Sequence, residues 1–178
     1  MTDPGSIHVP AGLLVLLAAI TAERLLELVV AKRNARWAAA RGGVEYGRGH
    51  YPVMVVLHVG LIAGTLAEVA LVPREFTPAV GWPALTAVVL ANVVRGWCMH
   101  ALGPQWNTRV IVVPGMPLVT TGPYRWTRHP NYLIVILEGF ALPLVYSAWI
   151  TATLFTVADA ALLSVRMRVE NRVLRPAT

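Results

Sequence analysis

Two groups of residues have types and spacings that can do chemistry. The first is the stretch Gly103-Pro104-Gln105-Trp106-Asn107-Thr108-Arg109, a Val/Ile run, Pro114-Gly115-Met116-Pro117-Leu118-Val119-Thr120-Thr121, and then Gly122-Pro123-Tyr124-Arg125-Trp126-Thr127-Arg128-His129-Pro130-Asn131-Tyr132. It is too rich in Trp, Tyr, Arg and His for a passive connector. Pro130 suits the first position of a helix, because the N–H it lacks would have no intrahelical partner there, and His129 then falls near the N-cap. The free amides and positive end of that helix can dock an anionic group such as a carboxylate. A plainer reading is equally open: Pro130 starts a helix and the aromatics form an interfacial belt. The second group is a set of ionisable residues inside apolar runs: Glu23, Arg24, Glu27, His58, Glu68, Arg95, Glu138 and Asp159. Such residues face a protein interior or a wet cavity, and ion pairs between helices are the plain alternative for any one of them.

The elements that must position these residues are membrane helices. Of 178 residues, 56% are hydrophobic and 13% charged, about half the roughly 25% of a soluble domain, and mean hydropathy is +0.60. One Cys allows no internal disulfide. A net charge of +6 would suggest nucleic acid in a soluble chain, but in a membrane chain it reports orientation first, so no nucleic-acid partner is expected. Apolar runs at about 11–31, 52–72, 79–101, 131–146 and 148–165 predict an all-α, polytopic helix bundle of about five transmembrane helices, folded as a single domain over 1–178. The fourth run is short and carries Pro143, and a turn at Tyr146-Ser147 makes the last two a tight hairpin. The leading segment has no basic n-region and runs into an apolar stretch with Glu23, which predicts a spanning helix rather than a cleaved signal peptide.

Lys32, Arg33, Arg36, Arg41 and Arg48 fall between the first two runs, Arg109, Arg125 and Arg128 between the third and fourth, and Arg166, Arg168, Arg172 and Arg175 at the C-terminal end; Arg74 stands on the other side. That asymmetry predicts an outside N-terminus and a cytoplasmic C-terminus. Glu23, Arg24, Glu27, His58, Arg95 and Glu138 then share one level under the cytoplasmic surface, while Glu68 and Asp159 fit it less well. A polar cavity there suits an enzyme that takes a water-soluble cofactor from one side and a lipid from the other. It suits a small proton-coupled transporter as well.

No GxGxxG follows a strand pattern, so a soluble nucleotide-binding fold is not expected, and His8, His50, His58, His100 and His129 lack metal-ligand spacing, so no metal is expected. The string from Gly122 to Tyr132, followed by a hydrophobic hairpin and Arg166-Met-Arg-Val-Glu170-Asn171, resembles the isoprenylcysteine carboxyl methyltransferase family. That family is related to the membrane phospholipid methyltransferases and shares its C-terminal core with sterol reductases. The resemblance covers about 103–174. It implies a cytoplasmic pocket for S-adenosyl-L-methionine, left as S-adenosyl-L-homocysteine, formed by Met116, Pro117, Leu118 and Val119, by Tyr124, by His129, Pro130, Asn131 and Tyr132, and by Glu170. It implies that Arg166 meets the acceptor group; Arg95 and Glu27, from the buried charge layer, are expected toward the substrate. The family often has His at the position of Met116 and Glu-Glu where this chain has Glu170-Asn171, and usually continues into an acidic, Tyr-rich tail.

Methyl transfer from a sulfonium is an in-line displacement that needs donor and acceptor aligned and desolvated. A carboxylate acceptor is already ionised and needs only an arginine to orient it, for which Arg166 offers a planar two-donor contact. A phenol or enol would gain from a base, such as His129 or a buried glutamate. Arg166 and Glu170 are one helical turn apart, so one can meet the acceptor and the other the cofactor's amino group. The expectation is an O-methyltransferase for the carboxylate or hydroxyl of an isoprenyl or long-alkyl lipid entering from the bilayer. Lipid N-methylation and an NADPH-dependent membrane reductase are the other enzyme readings. The Ala/Val/Arg-rich composition points to a bacterial inner membrane, and so to a small lipid such as an alkylated phenol, quinone or pyrone rather than a prenylated protein.

Overall fold

The computed structural model describes residues 9–72, 74 and 76–174, the last without its side chain. Readings that rest on the leading segment 1–8, including His8, and on Arg175 lie outside these residues. Five helices carry the fold: α1 (Ala11–Ala39), α2 (His50–Leu71), α3 (Pro78–Leu102), α4 (Pro130–Leu144) and α5 (Trp149–Leu174). The all-α expectation holds, with one addition. Two three-residue strands, β1 (Val44–Tyr46) and β2 (Val110–Val112), pair antiparallel with Glu45 opposite Ile111. The Val/Ile run supplies β-branched residues that favour an extended backbone, and the pairing joins the α1–α2 loop to the α3–α4 loop.

Three helices, α2, α3 and α5, are long and apolar enough to cross a membrane. α1 has the length, but Glu23, Arg24 and Glu27 sit within its apolar part, and α4 has 15 residues, fewer than the roughly 20 that a straight crossing takes. α1 also runs eight residues past the expected end at 31, and α5 nine past 165, because basic residues such as Lys32, Arg33 and Arg168 have good helix propensity and carry the helices beyond their apolar parts. Large apolar side chains remain exposed around the outside, among them Val15, Leu26, Val56, Val93, Leu133 and Leu154. In water such a surface would be a liability; in a bilayer it faces its proper solvent.

α4 lies between α3 and α5, and α2 packs along α5. The core that joins them holds Leu13, Leu17, Leu61, Val88, Leu142 and Phe155. Gly139 lets α4 approach α5: the Phe155 ring occupies the space that a β-carbon at 139 would take. Between α4 and α5 the chain reverses at Ser147, in the left-handed region at φ 56°, and Ala148 N–H donates to Pro143 O at 3.0 Å. This is the expected hairpin. Pro143 ends the regular ladder of α4, and its carbonyl closes the turn instead.

Glu68, near the end of α2, has a structural role. It accepts hydrogen bonds from the N–H groups of Ile150 (3.2 Å) and Thr151 (2.8 Å) and from the Thr151 hydroxyl (2.8 Å), and Arg74 pairs with it at 2.8 Å. A carboxylate on the first-turn amides of α5 satisfies donors with no helical partner and meets the positive end of the helix dipole. Glu68→Ala is therefore expected to lower stability by about 1–3 kcal/mol, read as a fall in the unfolding midpoint in detergent, without changing ligand affinity. An unchanged midpoint would contradict this role.

Candidate active site

α4 begins and α5 ends at the same end of the bundle, where the residues from Gly122 to Tyr132 meet the last turns of α5. The turn into this stretch is made by Gly122, at φ 58°; Trp97 Nε1 and Ala101 Cβ each lie 3.1 Å from where a β-carbon would stand, so both backbone angle and space call for glycine. A short 3-10 turn follows (Gly122–Arg125), and buried Pro130 then opens α4 with His129 at its N-cap and no side chain capping the helix.

From that start, His129 and Tyr132 stack face to face, ring centres 5.2 Å apart and planes 4° from parallel. The Tyr132 hydroxyl donates to Glu170 Oε2 at 2.5 Å. His129 Nδ1 lies 3.7 Å from the same oxygen, and its Nε2 lies 3.1 Å from Asn171 Oδ1. Asn171, which stands where the family often has a second glutamate, thus meets the motif histidine. Asn131 Oδ1 is buried without a hydrogen-bond partner among the described residues.

Tyr124 packs against Ala91, Cys98 and Ile134 of α3 and α4, and burial raises its phenol above the usual tyrosine range, with the neighbouring Cys98 adding to the effect. A phenol held neutral in this way serves as a hydrogen-bond donor or an aromatic wall. Met116 and Val119 are half-buried, whereas Pro117 and Leu118 are exposed on the loop that follows β2. Their side chains supply apolar surface rather than polar contacts.

Arg166 approaches the same tyrosine from one helical turn back along α5. Its Cζ is 5.8 Å from the Tyr132 ring centre; Nη2 donates to Thr108 O at 2.9 Å, and Nη1 lies 2.8 Å from Met54 Sδ. The residue is 6% exposed, and its Nε has no partner among the described residues. An arginine buried in protein is retained at considerable cost, and one N–H still unpaired leaves it able to take a further anion or oxygen. Met54 carries no catalytic signature, so sequence reasoning missed it, and Thr108 stood in the chemistry-bearing stretch without a role of its own. Thr108 contributes only its backbone carbonyl.

The remaining expected substrate residues, Arg95 and Glu27, fall into a second cluster deeper in the bundle. Arg24 donates to Glu27 Oε2 (2.8 Å) and Asn92 Oδ1 (2.7 Å) and lies 3.4 Å from both Glu23 and Glu138. Arg95 Nη2 is 2.5 Å from Glu138 Oε2, with its Nε 3.7 Å from Glu27. Ion pairing between α1, α3 and α4, the plain alternative for these charges, is what the geometry presents. Asn92, the neutral member of the network, gave no sign in the sequence.

Asparagines also tie the long α1 to the loop. Asn34 Nδ2 donates to Trp106 O at 2.8 Å, and Asn107 Nδ2 donates to Ala31 O at 3.0 Å. Arg109 lies over the Tyr51 ring at 4.4 Å and faces Glu45 at 3.3 Å, which holds the paired strands over the start of α2.

The isoprenylcysteine carboxyl methyltransferase family model matches residues 84–176, the stretch that contains both walls of the Tyr132 cluster. Among curated proteins, the chain is 40% identical over 161 residues to the "Uncharacterized protein YpbQ" of Bacillus subtilis (strain 168), covering 90% of this chain and 95% of that one. It is 24% identical over 157 residues to an "Uncharacterized protein" of Haemophilus influenzae (strain ATCC 51907 / DSM 11121 / KW20 / Rd), covering 86% and 90%. No solved structure matches the chain. With apolar helices of membrane-spanning length and a family match over more than half its residues, the chain is an integral membrane protein belonging to the isoprenylcysteine carboxyl methyltransferase family.

Proposed function

We propose that the protein is an S-adenosylmethionine-dependent O-methyltransferase of one domain, which methylates the carboxylate or hydroxyl of an isoprenyl or long-alkyl lipid. The observation that carries this reading is the convergence on Tyr132: Glu170 is hydrogen-bonded to its hydroxyl while the buried Arg166 stands against its ring. A carboxylate, an unpaired amide oxygen at Asn131, an open helix start and aromatic faces form a donor and acceptor set that fits the amino-acid and purine parts of such a cofactor.

When bound, S-adenosylmethionine supplies a sulfonium-activated methyl group. The chain's own residues then have three tasks. Glu170, Asn131 and His129 hold the polar end of the cofactor; Tyr124, Tyr132 and the apolar Met116 to Val119 stretch cover it and exclude water. Arg166 would orient the acceptor oxygen toward the methyl group that the cofactor supplies. A carboxylate acceptor needs nothing more, and a hydroxyl acceptor would give its proton to a base, the role His129 would take. A buried, always-charged arginine favours an oxygen acceptor over a lipid amine, which it would repel. The basic loops support an orientation with both α5's end and the site toward the cytoplasm, in a bacterial inner membrane, and the acceptor enters from the bilayer.

The test is calorimetric binding of S-adenosylhomocysteine to the purified protein. Binding is expected, and Glu170→Ala is expected to weaken it by about ten- to a hundredfold, the effect of losing a charged hydrogen bond. No binding, or binding indifferent to Glu170→Ala and His129→Ala alike, would overturn the reading.

A further inference from the structure

Asp159 is used by nothing described so far. It lies on α5, is fully buried, and neither of its carboxyl oxygens has a hydrogen-bond partner among the described residues. The other buried acids differ: Glu68 caps α5, Glu138 meets Arg95, and Glu27 meets Arg24. A buried carboxyl with two unmet oxygens weakens the fold, and an apolar residue would serve packing better, so its presence calls for a partner that the chain itself does not supply.

Its position says where that partner comes from. Asp159 precedes Arg166 by seven residues, two helical turns, and so lies on the same face of α5 as Arg166 and Glu170. The two Cα atoms are separated by roughly 10 Å, and an arginine side chain leans back along its helix, toward Asp159. One turn deeper on the same face, Phe155 lines a small cavity of about 30 Å³ together with Ile20, Leu61, Val135 and the polar Arg24, His58 and Glu138. His58 directs its Nδ1 to Met54 O at 2.8 Å, and its ring meets Phe155 edge-on at 5.5 Å. Going inward along this face of α5, Glu170 is followed by Arg166, Asp159 and Phe155, the last of which lines that cavity.

We propose that Asp159 is a specificity-determining residue that receives a second hydrogen-bond donor of the acceptor, an amide N–H or a further hydroxyl, beside the oxygen held by Arg166. This rests on the methyltransferase reading and deepens it: the preferred acceptor is a long-chain lipid whose head carries a donor next to the methylated oxygen. A site built to accept such a hydrogen bond rejects an analogue that lacks it, because its own oxygens are then left bare.

Two matched pairs of acceptors test it: N-acetyl-S-farnesylcysteine against its counterpart without the acetamido group, and a pentadecylphenol against the pentadecyl dihydroxybenzene. The natural protein is expected to prefer the donor-bearing member of at least one pair by about tenfold or more in kcat/KM. Asp159→Asn, which keeps the shape, is expected to shrink that preference several-fold, and Asp159→Leu to erase it. S-adenosylhomocysteine affinity stays unchanged throughout, and the unfolding midpoint of Asp159→Leu does not fall, whereas a structural hydrogen bond at Asp159 would make it fall. No preference in either pair while S-adenosylhomocysteine still binds, or a preference that survives both substitutions, would overturn the proposal. Loss of S-adenosylhomocysteine binding by the natural protein would instead count against the methyltransferase reading itself.

Discussion

Arg166→Lys is expected to reduce methyl transfer by about two to three orders of magnitude while S-adenosylhomocysteine binds as before, the scale seen when a positioned donor to a reacting oxygen is removed. The reason is geometric rather than electrostatic. Lysine keeps the charge, but the guanidinium already gives one N–H to Thr108 O and points another at Met54 Sδ, and its Nε remains for the acceptor. An ammonium on a flexible stem does not reproduce that fixed fork. Radiolabelled transfer to a lipid acceptor, measured beside calorimetric cofactor binding, separates the two effects. Activity within a few-fold of the natural protein would show that Arg166 is a packing residue.

The second large effect is on stability. Glu138→Ala is expected to destabilise the bundle by about 3–5 kcal/mol, because it removes the nearest counter-charge of the buried Arg95 and leaves it only Glu27 at 3.7 Å. Arg95 loses its 2.5 Å partner, and Arg24 loses one of its three carboxylates. Replacing Arg95 as well, with Glu138→Leu and Arg95→Met in one chain, is expected to recover most of the loss, since two apolar residues need no pairing. Unfolding in detergent measured for the single and double variants gives the coupling directly. A loss below about 1 kcal/mol for Glu138→Ala would mean that the network is hydrated rather than closed, as exposed ion pairs contribute no more than that.

Apolar runs gave the five helices to within a residue or two at most ends, because a span is set by length and hydropathy, both of which are local. The misjudged ends were those of α1 and α5, where the helix outlasts its apolar part and only propensity speaks. The stretch from Gly122 to Tyr132 was legible because its residue types are rare in connectors. By contrast, Thr108 acts through a carbonyl, Asn34 and Asn107 through bonds to distant backbone, and Asn92 as the neutral member of an ion network; none has a sequence pattern, since each role depends on what the fold brings opposite. Glu68 and Glu138 read alike as intramembrane acids, yet one caps a helix and the other pairs with arginine. Their difference lies wholly in their partners.

The pairing of Arg24 also bears on the order in which the chain is made. Its partner Asn92 is 68 residues further on, and Arg95 in turn meets Glu138 across another 43. At synthesis rates of about 5–20 residues per second, α1 waits several seconds before α3 and α4 emerge to receive it. During that interval the arginine has only its own helix for company, and it finds there Glu23 on one side and Glu27 one turn on, at 3.4 and 2.8 Å. α1 thus carries its own counter-ions, and the later helices take over a charge that was never left alone.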